Sequence, residues 1–272
     1  MKKILSVLKR FCVLFYENEI TVYSAQASYY IIISSIPFLM LLISLIGFLI
    51  PGEKEALILL IKSAMPDLVR PIMLNLVNEL FEKSIYIASL TAVITIWTAS
   101  RGMVAVERGI KKGYQVKYNH NLLVTWSLAI VYTLLFMFIL VLTLFSQVFG
   151  NVIIGFASRY VTISADVVLM MKVLLFFVIS TLLFAVMYYI FSNRVIPFGY
   201  HIPGAIFTSF GWMVFSKVYA LYIENFPNFS YIYGSLAAIV FMFLWLYSCV
   251  MILLIGAIIN KMLTEEKTFV EK

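Results

Sequence analysis

The sequence predicts an all-α fold: a polytopic membrane helical bundle of six transmembrane helices, with amphipathic helices at the N-terminus and in the first outer loop. Three observations carry this. The runs 20–52, 118–158 and 225–260 contain no Asp, Glu, Lys or Arg, and about 20 apolar residues at a 1.5 Å rise suffice to cross a ~30 Å hydrocarbon core. Charged residues make up 12% of the chain and hydrophobic residues 63%, against about 25% charged in a soluble domain. No polar stretch is long enough for a second domain, so residues 1–272 read as a single integral membrane domain. Two cysteines, Cys12 and Cys249, indicate neither a disulfide framework nor a metal knuckle.

The chain opens on a basic amphipathic helix. Ile4, Val7, Leu8, Phe11, Leu14 and Phe15 share one face, with Lys2, Lys3, Lys9 and Arg10 opposite or beside it. Such a helix lies in the headgroup layer or packs on the bundle. Lys9 and Arg10 break the apolar stretch, and Glu17 and Glu19 follow without a small-residue cleavage site, which argues against a cleavable signal peptide. The spans fall at about 28–50, 84–100, 122–148, 167–191, 204–223 and 232–259. The second is short, and the last is long enough to tilt. Gly150, Asn151 and Gly155 would suit a re-entrant piece, but an odd span count puts the two terminal basic flanks on opposite sides. Between spans one and two, Ile72, Met73, Leu76, Val77, Leu80 and Phe81 form an apolar stripe away from Asn75, Asn78, Glu79 and Glu82, after breaks at Pro66 and Pro71. Two short amphipathic helices on the outer surface are expected there, as a cap on the bundle or a lid over a cavity.

Lys and Arg near the span ends set the orientation. Thirteen fall on the side of the N-terminal flank, the 101–117 segment, Arg194 and the C-terminal tail; six fall on the other, with Lys172 inside span four left out. Both termini are therefore expected in the cytoplasm. The net charge of +7 is this flank signal, and no nucleic-acid partner is inferred from it.

Polar residues inside spans are the candidates for function, because ionisable groups in hydrocarbon face a cavity or a partner. Span one carries Ser24, Ala25, Gln26, Ala27 and Ser28, small residues that permit close helix approach, followed by Ser34, Ser35 and Pro37. Pro37 cannot donate to the carbonyl of Ile33, so a kink is expected, with a serine helping to satisfy that oxygen. Arg101, Arg108 and Lys112 recur on one helical face beside Trp97, a stripe suited to phosphate or carboxylate groups or to simple anionic-lipid anchoring. Glu107 and Lys111 stand at pairing distance. Lys172 and Lys217 each lie about 9 Å inside the outer end of a span. They either snorkel outward or line an anion cavity, with Glu224 one face-repeat beyond Lys217. Trp245 lies mid-span, where its indole N–H wants a partner. Gly256 and Asn260 suit tight helix contact. His120 and His201 are isolated at span boundaries and read as interfacial. No His/Asp cluster holds a metal, no Ser-His-Asp set forms an obvious site, and no glycine loop cradles a phosphate. No catalytic residue, metal or cofactor is expected.

Ser24 to Tyr30 with Ser34-Ser35-Ile36-Pro37, then Trp97-Thr98-Ala99-Ser100-Arg101, then Tyr233-Gly234-Ser235-Leu236 with Trp245-Leu246-Tyr247 and Gly256-Ala257 to Asn260, resemble the YihY/BrkB family of bacterial membrane proteins. The resemblance spans almost the whole chain. It implies a six-helix protein of the bacterial cytoplasmic membrane, in a family linked to serum resistance, envelope lipid transport and, under an older name, ribonuclease BN. Two departures stand out: Ile258 where the family often has an acidic residue, and Lys111 where it often has Asn. A ribonuclease gains nothing from the residues present. Transport of a lipid or other anionic amphiphile is the expected function, with Gln26, Ser34, Ser35, Lys172, Lys217 and Glu224 at the substrate and Arg101, Arg108 and Lys112 on anionic headgroups. A non-transporting scaffold or envelope-assembly factor is the alternative. Membrane lipids are the expected partners, and a homo-oligomer is left open.

Overall fold

The computed structural model describes residues 2–49, 85–116, 165–192, 196–225 and 235–270, with isolated positions between them. These form six α-helices: α1 (Lys2–Glu17), α2 (Ile20–Leu49), α3 (Ile85–Gly113), α4 (Ala165–Phe191), α5 (Ile202–Asn225) and α6 (Ser235–Val270), with a 3-10 turn at Phe198–His201 leading into α5. The described residues contain no strand. Among the described residues, three segments are long and apolar enough to cross a membrane: 173–191, 198–223 and 239–265. The third expected span, at 122–148, lies outside the described residues but for Ser127 and 130–132. Of the outer amphipathic segment, Val77 is buried and Asn75 and Asn78 are exposed, as the stripe requires; most of that segment lies outside the described residues.

α1 packs by the C-terminal half of the face the pattern marked, while Val7 and Leu8 of that face are exposed. Leu14 is buried, and Phe11 and Phe15 rest on the core. Leu5, Leu8, Cys12 and Tyr16 remain exposed. Glu19 then takes a left-handed φ of 52°, and its carbonyl accepts the N–H groups of Val22 and Tyr23, which starts α2. At the other end of the partner helix, Gln115 takes a φ of 55°. Val116 N–H bonds Lys111 O and Gln115 N–H bonds Lys112 O, the paired closure that satisfies orphan carbonyls at a helix end. This closure leaves Tyr114 buried at the C-terminal edge of α3.

Small residues set the helix spacing. A side chain at Gly102 would press on Ile31 and Ala27 of α2, and one at Gly109 would strike Leu254 of α6 and Tyr23 of α2. One at Gly113 would meet Ala257. These pairs make α2 antiparallel to α3 and α3 parallel to α6. They also show that α3 runs on beyond residue 100 flanked by other helices, so Gly102 to Gly113 packs within the bundle. α5 and α6 are antiparallel: Trp212 Nε1 bonds Cys249 O at 2.6 Å, Trp245 Nε1 bonds Ser216 Oγ at 3.1 Å, and Tyr219 OH bonds Phe241 O at 2.7 Å. Trp245 thus has the partner its position demanded. At the crossing near the start of α5, Gly204 and Gly256 bring two backbones together, with Thr208 and Tyr188 closing the sides.

Candidate functional site

The ends of α3, α4 and the 3-10 turn, the start of α5 and residue 260 of α6 converge on a buried polar centre. Asn260 holds its middle and is fully buried. Its Oδ1 accepts the Gly204 N–H at 2.7 Å, which satisfies a first-turn donor of α5. Its Nδ2 donates to Tyr114 OH at 2.9 Å and to the His201 carbonyl at 3.1 Å. Tyr114 OH lies 2.7 Å from His201 Nδ1. On the far side of the ring, Nε2 lies 3.3 Å from the Ile196 carbonyl and 3.4 Å from Ser192 Oγ.

The donors run in one direction through this chain. Tyr114 accepts from Asn260, so its own proton goes to His201 Nδ1. His201 then carries its proton on Nε2 and gives it to the Ile196 carbonyl, while Ser192 donates to Tyr189 O at 3.0 Å. A neutral imidazole fits every member. Burial pushes the Tyr114 phenol up from its usual range; nearby Tyr188 adds to this, and the bond from Asn260 opposes it. Beside this chain, Tyr188 OH donates to Leu253 O at 2.6 Å and lies 2.7 Å from Thr208 Oγ1. The Tyr114 ring meets Tyr188 and His201 edge-on.

A second buried group stands on α3 itself. Lys111 Nζ lies 2.5 Å from Glu107 Oε1, with the two side chains 1% and 0% exposed. The second carboxylate oxygen, Oε2, is buried and has no hydrogen-bond partner among the described residues. The i,i+4 spacing predicts this pair; its complete burial is not visible in the spacing.

The predicted site residues do not assemble into one place. Gln26 is half-buried on α2 and Lys217 is exposed on α5. Ser34 is buried, but its hydroxyl bonds the Ile31 carbonyl at 2.9 Å, not the Ile33 oxygen opposite Pro37. Pro37 sits inside α2, as expected. The side chains of Ser35, Lys172 and Glu224 lie outside the described residues. The cationic stripe is present as a face of α3. Arg101 is half-buried with its guanidinium 4.6 Å from the Trp97 ring, Arg108 is exposed, and Lys112 lies 3.9 Å from Glu19. His201 is a correction: it is fully buried in the polar centre and not interfacial. Tyr114, Tyr188 and Thr208 were not legible as site residues, since nothing local in their sequence sets them apart. Among the described residues no three His, Cys, Asp or Glu side chains gather to hold a metal.

Apolar spanning helices around a sealed polar centre define a helical integral membrane protein. The chain shares its sequence with others of that kind. Residues 12–272 match the family described as virulence factor BrkB, and the protein belongs to that family. It is 26% identical over 249 residues to a ribonuclease-like protein, YfkH, of Bacillus subtilis (strain 168), covering 90% of each chain. It is 35% identical over 91 residues to a UPF0761 membrane protein of Vibrio vulnificus (strain YJ016), covering 34% of this chain and 29% of that one. With a UPF0761 membrane protein of Photobacterium profundum it shares 38% over 90 residues, 33% of this chain and 28% of the other. The matched stretch is thus under a third of those two relatives' length. No solved structure matches the chain.

Proposed function

We propose that this protein moves a lipid or other anionic amphiphile across the bacterial cytoplasmic membrane, with both termini in the cytoplasm. The supporting observation is the cationic face of α3. Arg101, Arg108 and Lys112 span eleven residues, about 16 Å of helix rise. Arg101 sits next to Gly102, whose Cα faces Ala27 and Ile31 of α2. Cations placed along a helix that runs beside apolar spans give an anionic headgroup successive partners inside the bilayer, where an unpaired charge is costly. Arg101 adds a planar donor fork held over Trp97. An apolar groove of about 350 Å³ between α2 and α6, lined by Tyr29, Ile33, Ile239, Val240 and Phe243, suits the tail of the same molecule. Gln26, Ser34, Ser35, Lys172, Lys217 and Glu224 remain candidates for a second polar station. The Bacillus relative's ribonuclease-like name has no support in the residues gathered here.

The test is movement of a fluorescent anionic phospholipid between leaflets of proteoliposomes. We expect Arg101→Ala to cut the rate at least about tenfold, the loss of roughly 1.4 kcal/mol of binding to the moving headgroup. Wild-type movement in the folded Arg101→Ala variant sinks the assignment of Arg101. Absence of movement in the wild type favours the second reading, a scaffold, which the tightly sealed Gly204–Gly256 crossing supports.

A further inference from the structure

We infer that α1 is an anionic-lipid-binding element: a second apolar stripe on it enters the leaflet where α6 leaves the membrane, and Lys9 beside that stripe takes an anionic phospholipid headgroup. α1 has two apolar faces. Phe11, Leu14 and Phe15 turn toward the core. Leu5, Leu8, Cys12 and Tyr16 point elsewhere: at about 100° per residue they share an arc of about 80°, centred about 110° around the helix from the packed set. Leu5 is 73%, Leu8 59% and Tyr16 79% exposed, and Cys12 is exposed with them. Lys9 borders this stripe, four residues after Leu5 and seven before Tyr16, and is exposed as well. The whole helix carries Lys2, Lys3, Lys9 and Arg10 against a single acid, Glu17. An apolar stripe edged by basic residues suits the boundary between headgroups and acyl chains in an anionic leaflet.

The depth of α1 is set by its ion pair with α6. Arg10 bonds Glu265, which Lys261 also reaches at 3.2 Å. Lys261 is the first charge after the run 225–260. Glu265 stands five residues beyond Asn260, about 7.5 Å of helix rise, against a headgroup layer of about 5–7 Å. α1 is thereby held at the level where apolar side chains meet acyl chains and cations meet phosphates. Left in water, the same face would keep two leucines and a tyrosine uncovered beside the end of a membrane span. A second copy of the chain fits less well. Four side chains fall well short of the ~800 Å² per partner that a stable interface buries, and Lys9 of each copy would approach a basic helix. A phosphate beside Lys9 gains a cation, while Arg10 stays on Glu265.

The test is photo-cross-linking of the full-length protein in nanodiscs that contain phosphatidylglycerol or phosphatidylcholine with a diazirine near the top of one acyl chain. Cross-linked peptides are mapped by mass spectrometry. Val178 and Leu182, exposed on the spanning helix α4, give the reference labelling by either lipid. Residues 5–16 are expected to label with both lipids and to favour phosphatidylglycerol once scaled to that reference. Lys9→Gln should lower this preference at least about twofold, within the ~fivefold that one basic residue contributes at an anionic surface. Lys9 is exposed; should the variant nonetheless fail to fold, the wild-type preference between the two lipids still decides. Labelling of α4 without labelling of α1 overturns the proposal, because the stripe then lies in water. Equal use of the two lipids by α1 overturns it too, as does an unchanged preference in folded Lys9→Gln. So does a cross-link from one α1 to the α1 of another copy with lipid excluded. A protein that moves no lipid between leaflets can give every expected cross-link, so this result and that of the transport assay are independent.

Discussion

The α2–α3 and α5–α6 interfaces solve the same problem in opposite ways. Both bury polar side chains between apolar helices. Along α2 and α3 the hydroxyls of three buried residues turn back onto their own helix: Ser24 bonds Ile20 O, Ser28 bonds Ser24 O, and Thr98 bonds Ile94 O. These bonds need no partner helix, so the contact itself rests on small residues and close packing. Along α5 and α6 the polar groups reach across, from Asn260 to Gly204, Trp212 to Cys249, Trp245 to Ser216 and Tyr219 to Phe241. These bonds of the first interface survive a shift of one helix past the other. The second is pinned in register along its length. A moving element, if the bundle has one, is therefore expected to be the α2–α3 pair against a fixed α4–α5–α6 frame.

The sharpest way to break this comparison is at the glycine crossing. Gly256→Leu places a side chain against the backbone of Gly204 and the hydroxyls of Thr208 and Tyr188. Nothing there can yield, so the cost should exceed the ~1–3 kcal/mol typical of overpacking, and no monodisperse protein should be recovered by size exclusion in detergent. Next comes Asn260→Leu, which strands the Gly204 N–H and two further partners. We expect a loss of about 2–4 kcal/mol, read from unfolding in mixed micelles titrated with a denaturing detergent. The smallest effect belongs to the other interface. Ser24→Ala with Ser28→Ala should change stability by under about 0.5 kcal/mol, within the range of interhelical polar substitutions in membranes. A double serine variant as damaging as Asn260→Leu would erase the distinction between the two interfaces.

The legible part of the molecule was the part encoded locally. Apolar runs located α2, α4, α5 and α6, and the spacing of Phe11, Leu14 and Phe15 fixed the packed face of α1. The Glu107–Lys111 pair, the proline inside α2 and the need of Trp245 for a partner follow from positions a few residues apart. The polar centre does not. Asn260 meets Tyr114 across 146 positions and the His201 carbonyl across 59. No periodicity relates such residues; only the order of helices around the bundle does. His201 looked interfacial because it stands alone between apolar segments, and its partners come from elements that its neighbourhood in the chain does not reveal. The packing of the end of α3 was hidden for a related reason. Five basic residues between 101 and 117 read as a flank, and that reading says nothing of the glycines at 102, 109 and 113 that let α3 press against α2 and α6.

The two thiols differ in a way that has a practical use. Cys249 is buried between α5 and α6, and Cys12 is exposed on the outer side of α1. The native chain thus carries a single reachable labelling position. A fluorophore or spin probe attached there would report how α1 sits relative to lipid, without any residue of the bundle being replaced.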